Sequence, residues 1–306
     1  MNLNNTSAPS RSNICAIIIT FNPDEKLPER VKNIRYQVDR VVIIDNNSNT
    51  KCIKIIKKIC EDLDVDLIQN NSNLGVAEAL NQGFNYIISF KEKYSWALTL
   101  DQDTCCLPSL IDNHILAYND CPYTKEVGVI GSNYSEKTTS RLLHNALDKN
   151  SSWEEVQNLP TSGCITSISS YKDVGEFRND FFIDYIDTEY CMRMRKKGYK
   201  VLISTPIGMI HPLGYYRVSK LHKWLKGKEM VTNYPSYRHY YWTRNGSVLI
   251  WENLFDDLRW SLNEIYYIFI RRVITILLFE DMKLNKFGNM ALGLFHAISS
   301  KKGKKS

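Results

Sequence analysis

The sequence predicts an α/β fold: a mostly parallel sheet with helices on both faces, followed by a helical C-terminal extension. Two observations predict it. From Ile14 onward, short β-branched runs alternate with segments of helical period, the pattern of strands joined by helical crossovers. From Ser236 onward the strand pattern stops, and aromatic and aliphatic residues recur at helical spacing.

Ile14 to Thr20 (ICAIIIT) has the continuous apolar character of a strand buried on both faces, and Phe21-Asn22-Pro23 stops it. A helix is expected over Glu25 to Tyr36. Val41 to Asp45 (VVIID) is the second strand, ending in Asn46-Asn47-Ser48-Asn49, whose side chains favour turns by bonding their own backbone. Thr50 to Leu63 is helical, with Ile53, Ile56 and Ile59 on one face. Leu67 to Gln69 is a third strand, Val76 to Phe90 a helix, and Trp96 to Leu100 a fourth strand running into Asp101-Gln102-Asp103. Val127 to Gly131 and Cys164 to Ser169 read as further strands, with a less regular stretch from Asn133 to Leu159 between them. Asp184 to Lys197 reads as a helix stopped by Gly198, with Glu189 and Arg193 spaced for an i,i+4 pair. Farther on, Leu262, Tyr266, Phe269, Val273 and Leu277 form one apolar face, with Glu264, Arg271 and Thr275 opposite. That face suits either packing against the α/β domain or contact with a membrane surface. The chain thus divides into a polar arm (1–13), an α/β domain (14–232) and a helical extension (233–306).

Hydrophobic residues at 43% and charged residues at 24% exclude both a disordered chain and a polytopic membrane protein. The eight cysteines form no CxxC pair and have no histidine at zinc spacing, so they read as reduced thiols, which suits a cytoplasmic compartment. The first thirteen residues lack the apolar core of a secretory signal, and the apolar stretch Ile265 to Phe279 is interrupted by Arg271 and Arg272 and too short to span a bilayer. After Asp281 there are six lysines and no acid. This tail is either solvated or an anchor to anionic lipid at the inner face of the cell membrane. No nucleic-acid partner is expected.

In open α/β sheets, ligands bind beyond the carboxyl ends of the strands. Asn22, Asp45, Asp101 and Asp103 all arrive at that edge. Two carboxylates one residue apart after a buried strand suit a hard divalent cation, Mg2+ or Mn2+, whose remaining ligands can be the phosphates of a nucleotide. Asp-x-Asp triplets are also common in surface turns. A second acidic cluster, Asp184, Asp187 and Glu189, opens the helix that follows, with Asp184 and Asp187 expected on one face. Charge at a helix N-terminus explains Asp184 and Glu189 as well as catalysis does, and Asp187 is the candidate general base.

TFNPDEKL, VVIIDNNSN, NSNLGVAEALNQGF, LTLDQDT, DYIDTEYCMRMRKKGY, IHPLG and YYWTRN occur in this order. Together they resemble the family 2 inverting glycosyltransferases of the GT-A fold, and among them the bacterial rhamnosyltransferases that use dTDP-L-rhamnose, over roughly residues 14–250. The resemblance implies that 14–232 is a GT-A catalytic domain. It implies that Thr20 and Asn22 wall the nucleotide, that Asp45 holds the base or ribose, and that Asn73 and Gly75 line the nucleotide-sugar cleft, although a turn-forming Asn and a helix-entry Gly would look the same. It makes Asp101 and Asp103 the acidic metal motif, with Asp103 a direct ligand, and brings His211 to the metal or the diphosphate. Asp187 matches the catalytic base. Arg244 and Asn245 match a motif of the rhamnosyltransferase group, where the guanidinium would neutralise the departing diphosphate; pairing with a buried acid is the alternative. The final LGLFHAISSKKGKK also resembles that group's ending.

The reaction so implied is single displacement with inversion, moving L-rhamnose onto a saccharide or lipid-linked acceptor in bacterial surface polysaccharide synthesis, O-antigen included. A galactofuranosyl or other hexosyl transferase of the same fold, or an inactive scaffold of a polysaccharide-assembly complex, is the alternative. A nucleotidyltransferase would need a Gly-rich basic phosphate loop after the first strand, which TFNPDEKL lacks.

Overall fold

The computed structural model describes residues 6–148, 150–212, 214, 216–227 and 230–305. Residues 1–5 of the polar arm and Leu213 of IHPLG lie outside the described residues. The chain divides into two compact units, the first Met1–Asn179 with Ile186–Pro212 and the second Asp180–Tyr185 with Leu213–Ser306.

The first unit opens as expected with β1 (Ile14–Thr20), α1 (Leu27–Arg35), β2 (Arg40–Asp45), α2 (Thr50–Leu63), β3 (Asp66–Gln69), α3 (Val76–Ile88) and β4 (Trp96–Asp101). It continues through β5 (Cys105–Cys106), α4 (Leu110–Asp120), β6 (Val127–Glu136), β7 (Trp153–Glu155), β8 (Cys164–Ser167), α5 (Ile168–Val174), α6 (Ile186–Lys196) and β9 (Lys200–His211). Among the described residues these strands form one nine-stranded sheet in the order β3-β2-β1-β4-β8-β6-β9-β5, with β7 also on β9. β3, β2, β1 and β4 run parallel, as do β6 and β9. Helices flank the sheet. Ile14, Ala16 and Ile18 of β1, Val41 and Ile43 of β2 and Leu98 of β4 share a core with Leu27, Val31 and Ile34 of α1. On the next helix, Asn49 caps the first turn by accepting from the amides of Lys51 and Cys52, and α2 buries Cys52, Ile56 and Ile59.

Three boundaries differ most from expectation, the first being β6, expected to end at Gly131 and running to Glu136. The strand expected to reach Ser169 stops at Ser167, whose hydroxyl accepts from the Ser170 amide and so caps α5. The helix expected from Asp184 starts at Ile186, because Asp184 and Tyr185 have φ of +67° and +64°. Asp184 and Asp187 therefore do not share a helix face.

The second unit holds the hairpin β10 (Tyr216–Val218) and β11 (Met230–Thr232), then α7 (Lys220–Lys226) between those strands, α8 (Ser236–Asn253), α9 (Leu258–Ile265), a π-helical turn over Tyr266–Arg271, α10 (Arg272–Phe279) and α11 (Lys283–Ile298). α8 and α11 pack closely because position 293 is glycine: a Cβ there would lie 2.5 Å from the Tyr240 carbonyl oxygen. The two faces of the amphipathic stretch are mixed. Glu264, expected opposite the apolar face, accepts from the Tyr185 hydroxyl at 2.7 Å, Arg271 of the same set is exposed, and Ile268 and Ile276 are buried. Leu262, Tyr266 and Leu277 are half exposed.

Candidate active site at the sheet edge

The C-terminal ends of β1 and β2 are joined by side chains. The Thr20 hydroxyl donates to Asp45 at 2.8 Å, and the Ser48 amide and hydroxyl donate to the same carboxylate at 2.9 and 2.5 Å. Asp45 is fully buried, so these contacts hold the charge that burial would otherwise penalise. Asn22, at φ +50°, donates its amide to Ser48 and accepts from the Asn49 amide and side chain. Asn46 donates to the Gly75 carbonyl at 3.0 Å, and the Gly75 amide donates to Asn73 at 3.0 Å. Gly75 sits at φ +92° as it enters α3, a conformation that needs glycine. Thr20, Asn22, Asp45, Asn73 and Gly75 thus belong to one hydrogen-bonded edge.

The Asp-Gln-Asp loop is tied to that edge through its middle residue. Gln102 accepts from the Phe21 amide at 2.7 Å and donates to the Phe21 carbonyl at 3.2 Å, extending β1 with a side chain. Its own carbonyl accepts from Arg30 at 2.9 Å. Across the loop, β5 pairs antiparallel with β9, Cys105 facing Ile210, so the next position outward sets Thr104 against His211. The Thr104 hydroxyl lies 2.9 Å from His211 Nδ1 and 2.6 Å from the Ser162 hydroxyl, and the Ser162 hydroxyl accepts from the Asp101 amide at 3.0 Å. The Tyr134 ring meets the imidazole edge-on at 5.4 Å.

This register gathers Asp101, Asp103 and His211, whose ligand atoms lie within 4.8 Å of one another. Asp103 Oδ1 is 3.8 Å from His211 Nδ1, with the Asp103 side chain 47% exposed and the imidazole 13% exposed. Two carboxylates and an imidazole, partly open to solvent, fit a divalent cation with further ligands supplied from outside the protein. Gln102, Thr104 and Ser162 escaped the sequence reading, since the signal that finds them is strand register.

Asp187 stands in the first turn of α6, half-buried, and accepts from the Thr188 amide at 2.8 Å. The helix is anchored two residues later. Glu189, 7% exposed at its side chain, takes a two-pronged ion pair from Arg193 at 2.6 and 2.9 Å, and Arg193 also donates to the carbonyls of Val174 and Glu176. The expected i,i+4 pair is therefore present and mostly buried.

Arg244 and Asn245 lie in the second unit and are used differently from expectation. Arg244 is 2% exposed and donates to the carbonyls of Asp180, Phe181 and Gly303 and to the Asn245 side chain. The Asn245 amide group donates to the carbonyls of Phe181, Ile183 and Asp184. Asp184 itself pairs with Arg238. The guanidinium expected to meet a departing diphosphate instead satisfies backbone carbonyls, and the burial foreseen as the alternative occurs against carbonyls in place of an acid.

The chain is similar to known proteins in sequence and in fold. The chain is 28% identical over 279 residues to dTDP-rhamnosyl transferase RfbF of Shigella flexneri, covering 87% of this chain and 88% of that one. S. aureus TarS 1-349, solved in complex with UDP, superposes with a TM-score of 0.57 at 12% identity, covering 94% of this chain and 88% of that chain. GalNAc-T7, solved with UDP, GalNAc and Mn2+, gives 0.53 at 14% identity over 65% and 44% of the two chains. At those identities the superpositions speak for the GT-A-like fold alone. The family model described as Glycosyl transferase family 2 matches residues 15–201, the span that holds the hydrogen-bonded edge around Asp45, the Asp-Gln-Asp loop and α6, and the chain belongs to that family.

Proposed function

We propose that this glycosyltransferase moves L-rhamnose from dTDP-L-rhamnose, with inversion, onto a saccharide or lipid-linked acceptor in bacterial surface polysaccharide synthesis. The observation that carries the donor assignment is the similarity to RfbF over nearly the full length of both chains. The donor's base and ribose are assigned to the edge formed by Thr20, Asn22, Asp45, Asn73 and Gly75. Asp101, Asp103 and His211 would hold Mg2+ or Mn2+, which supplies positive charge against the diphosphate as it leaves. UDP in the TarS complex and UDP with Mn2+ in the GalNAc-T7 complex support a nucleotide and a cation as ligands of a fold of this kind. Asp187 takes the proton from the acceptor hydroxyl as that oxygen attacks the anomeric carbon, and the bond to the diphosphate breaks on the opposite face. The place assigned to the work is the inner face of the cell membrane, in peripheral contact.

A donor panel tests the reading. Release of nucleoside diphosphate from dTDP-L-rhamnose should exceed that from UDP-galactofuranose and other UDP-hexoses, and EDTA and Asp103→Ala should each abolish it. A preference for another donor overturns the rhamnosyl assignment, and full turnover in EDTA overturns the cation.

A further inference from the structure

The second unit carries an apolar face that its own packing leaves uncovered. Along α9, the π-helical turn and α10, the inward positions are Glu264, Ile268, Arg272 and Ile276. Glu264 bonds Tyr185, Ile268 lies against Gly246, Arg272 stacks 3.9 Å from the Trp242 ring centroid, and Ile276 is fully buried. Half a turn away, Leu262, Tyr266, Ile270 and Ile274 are 55%, 55%, 48% and 48% exposed, and Leu277 continues the stripe at 50%. Isolated exposed apolar residues are ordinary, but a stripe of this length marks a contact surface.

The charges on the same run say what covers it. Among the described residues from Leu258 to Phe279, the exposed charged side chains are Arg259 and Arg271, both cationic, because Glu264 is turned inward. Every charged residue after Asp281 is a lysine. At the end of α10, a cavity of about 680 Å3 sets Arg217, Lys220 and Lys283 over Leu278, Phe279 and Leu284. Asp281 is its one exposed acid. A two-fold contact with another copy would bring these cations against themselves. Apolar insertion flanked by cations suits an anionic bilayer surface. No helix of the described residues is long and apolar enough to cross a membrane, so such a contact lies along the surface.

We propose that the outward stripe of α9 and α10 is a docking surface for anionic lipid, with Arg259 and Arg271 against lipid phosphates and the Arg217–Lys220–Lys283 cavity receiving a headgroup. This rests on the peripheral contact proposed above and gives it a face.

The test is flotation of the full chain with phosphatidylglycerol–phosphatidylcholine vesicles at low salt, with phosphatidylcholine vesicles as the comparison. The chain should float with the anionic vesicles, and Ile270→Glu/Ile274→Glu should abolish this while leaving the melting temperature in place, since both side chains are half exposed. Arg259→Gln, Arg271→Gln and Lys283→Gln should each weaken partitioning by about fivefold, the worth of one cation near an anionic surface. Absence of lipid-dependent flotation overturns the proposal. So does light scattering that shows a dimer dissolved by Ile270→Glu/Ile274→Glu with flotation unchanged, which would assign the face to a second copy. Donor turnover in solution is read in parallel: a chain that floats without turning over donor refutes the transfer reading and leaves the docking face intact.

Discussion

The Thr104 hydroxyl sits 2.9 Å from Nδ1 of His211, although 107 residues separate them. It links the imidazole through the Ser162 hydroxyl to the backbone amide of Asp101, so one hydroxyl pair ties the His211 ring to the loop that carries both carboxylates. With Nδ1 engaged by Thr104, Nε2 is the nitrogen left for a cation, and a supporting bond of this kind fixes the tautomer and plane of such an imidazole. Thr104→Val keeps the shape and removes the bond. Mn2+ affinity of the purified chain, read by titration calorimetry without donor, should fall about 10- to 100-fold, and Thr104→Ser should restore most of it. Unchanged affinity in the valine variant would leave Thr104 with packing alone.

Asp187→Asn preserves the first turn of α6 and removes the proposed proton acceptor. Transfer should drop by roughly two to four orders of magnitude with donor affinity retained. Glu189→Gln is the informative control: it breaks a mostly buried ion pair with Arg193, so it should lower the melting temperature while leaving turnover per folded molecule near normal. Measuring turnover and melting on both variants separates the roles. Near-normal turnover in Asp187→Asn would move the base to another carboxylate.

Arg244→Met should destabilise the second unit, because it takes the side-chain donor from the Gly303 carbonyl and one donor each from the carbonyls of Asp180 and Phe181, which keep the amides of Gly303 and Ile183 and the Asn245 side chain. A buried acceptor left without a donor costs about 1–3 kcal/mol, so a loss of that order is expected by chemical denaturation. Asn245→Leu should behave alike, since its amide group donates to the carbonyls of Ile183 and Asp184 as well as to that of Phe181. If Arg244→Met were to melt normally but lose donor affinity, the expected diphosphate contact would be reinstated.

His114 predicts an acid limb. It is fully buried in the first unit, with Nε2 3.0 Å from the Gly163 carbonyl, and burial pushes its pKa down from 6.5 to about 4. The folded chain holds the ring neutral, whereas the unfolded chain takes up a proton below about pH 6.5. Its contribution is therefore complete above pH 6.5 and is lost as the pH falls toward 4, amounting to about 3 kcal/mol over that window. Denaturant midpoints at several pH values should show this slope, and His114→Gln should flatten it.

What could be read from the residues follows what each reading depended on. β1, β2 and β4 were legible because strands buried on both faces are written as unbroken apolar runs. β9 was not, since Pro206 and Gly208 interrupt its run and its pairing with β6 shifts register around Asn133. The candidate ligands Asp103 and His211 were named, but the bond between Thr104 and His211 depends on antiparallel register between distant strands. Which face of α9 and α10 packs inward was left open, because both sides of that helical run are rich in apolar residues and periodicity alone does not choose between them. Arg244 was noticed for its motif, yet its partners are carbonyls whose positions no local pattern records.

The thiols described at the outset acquire a use once their surroundings are known. Burial pushes Cys15, Cys106 and Cys191 each up to about 12 and Cys164 well above its ordinary value, so none carries appreciable thiolate at neutral pH. Alkylating reagents attack thiolate, and these four sulfurs become reactive only when the sheet and its helices come apart. Their labelling rate is a built-in clock for opening of the first unit, readable by mass spectrometry without altering a single residue.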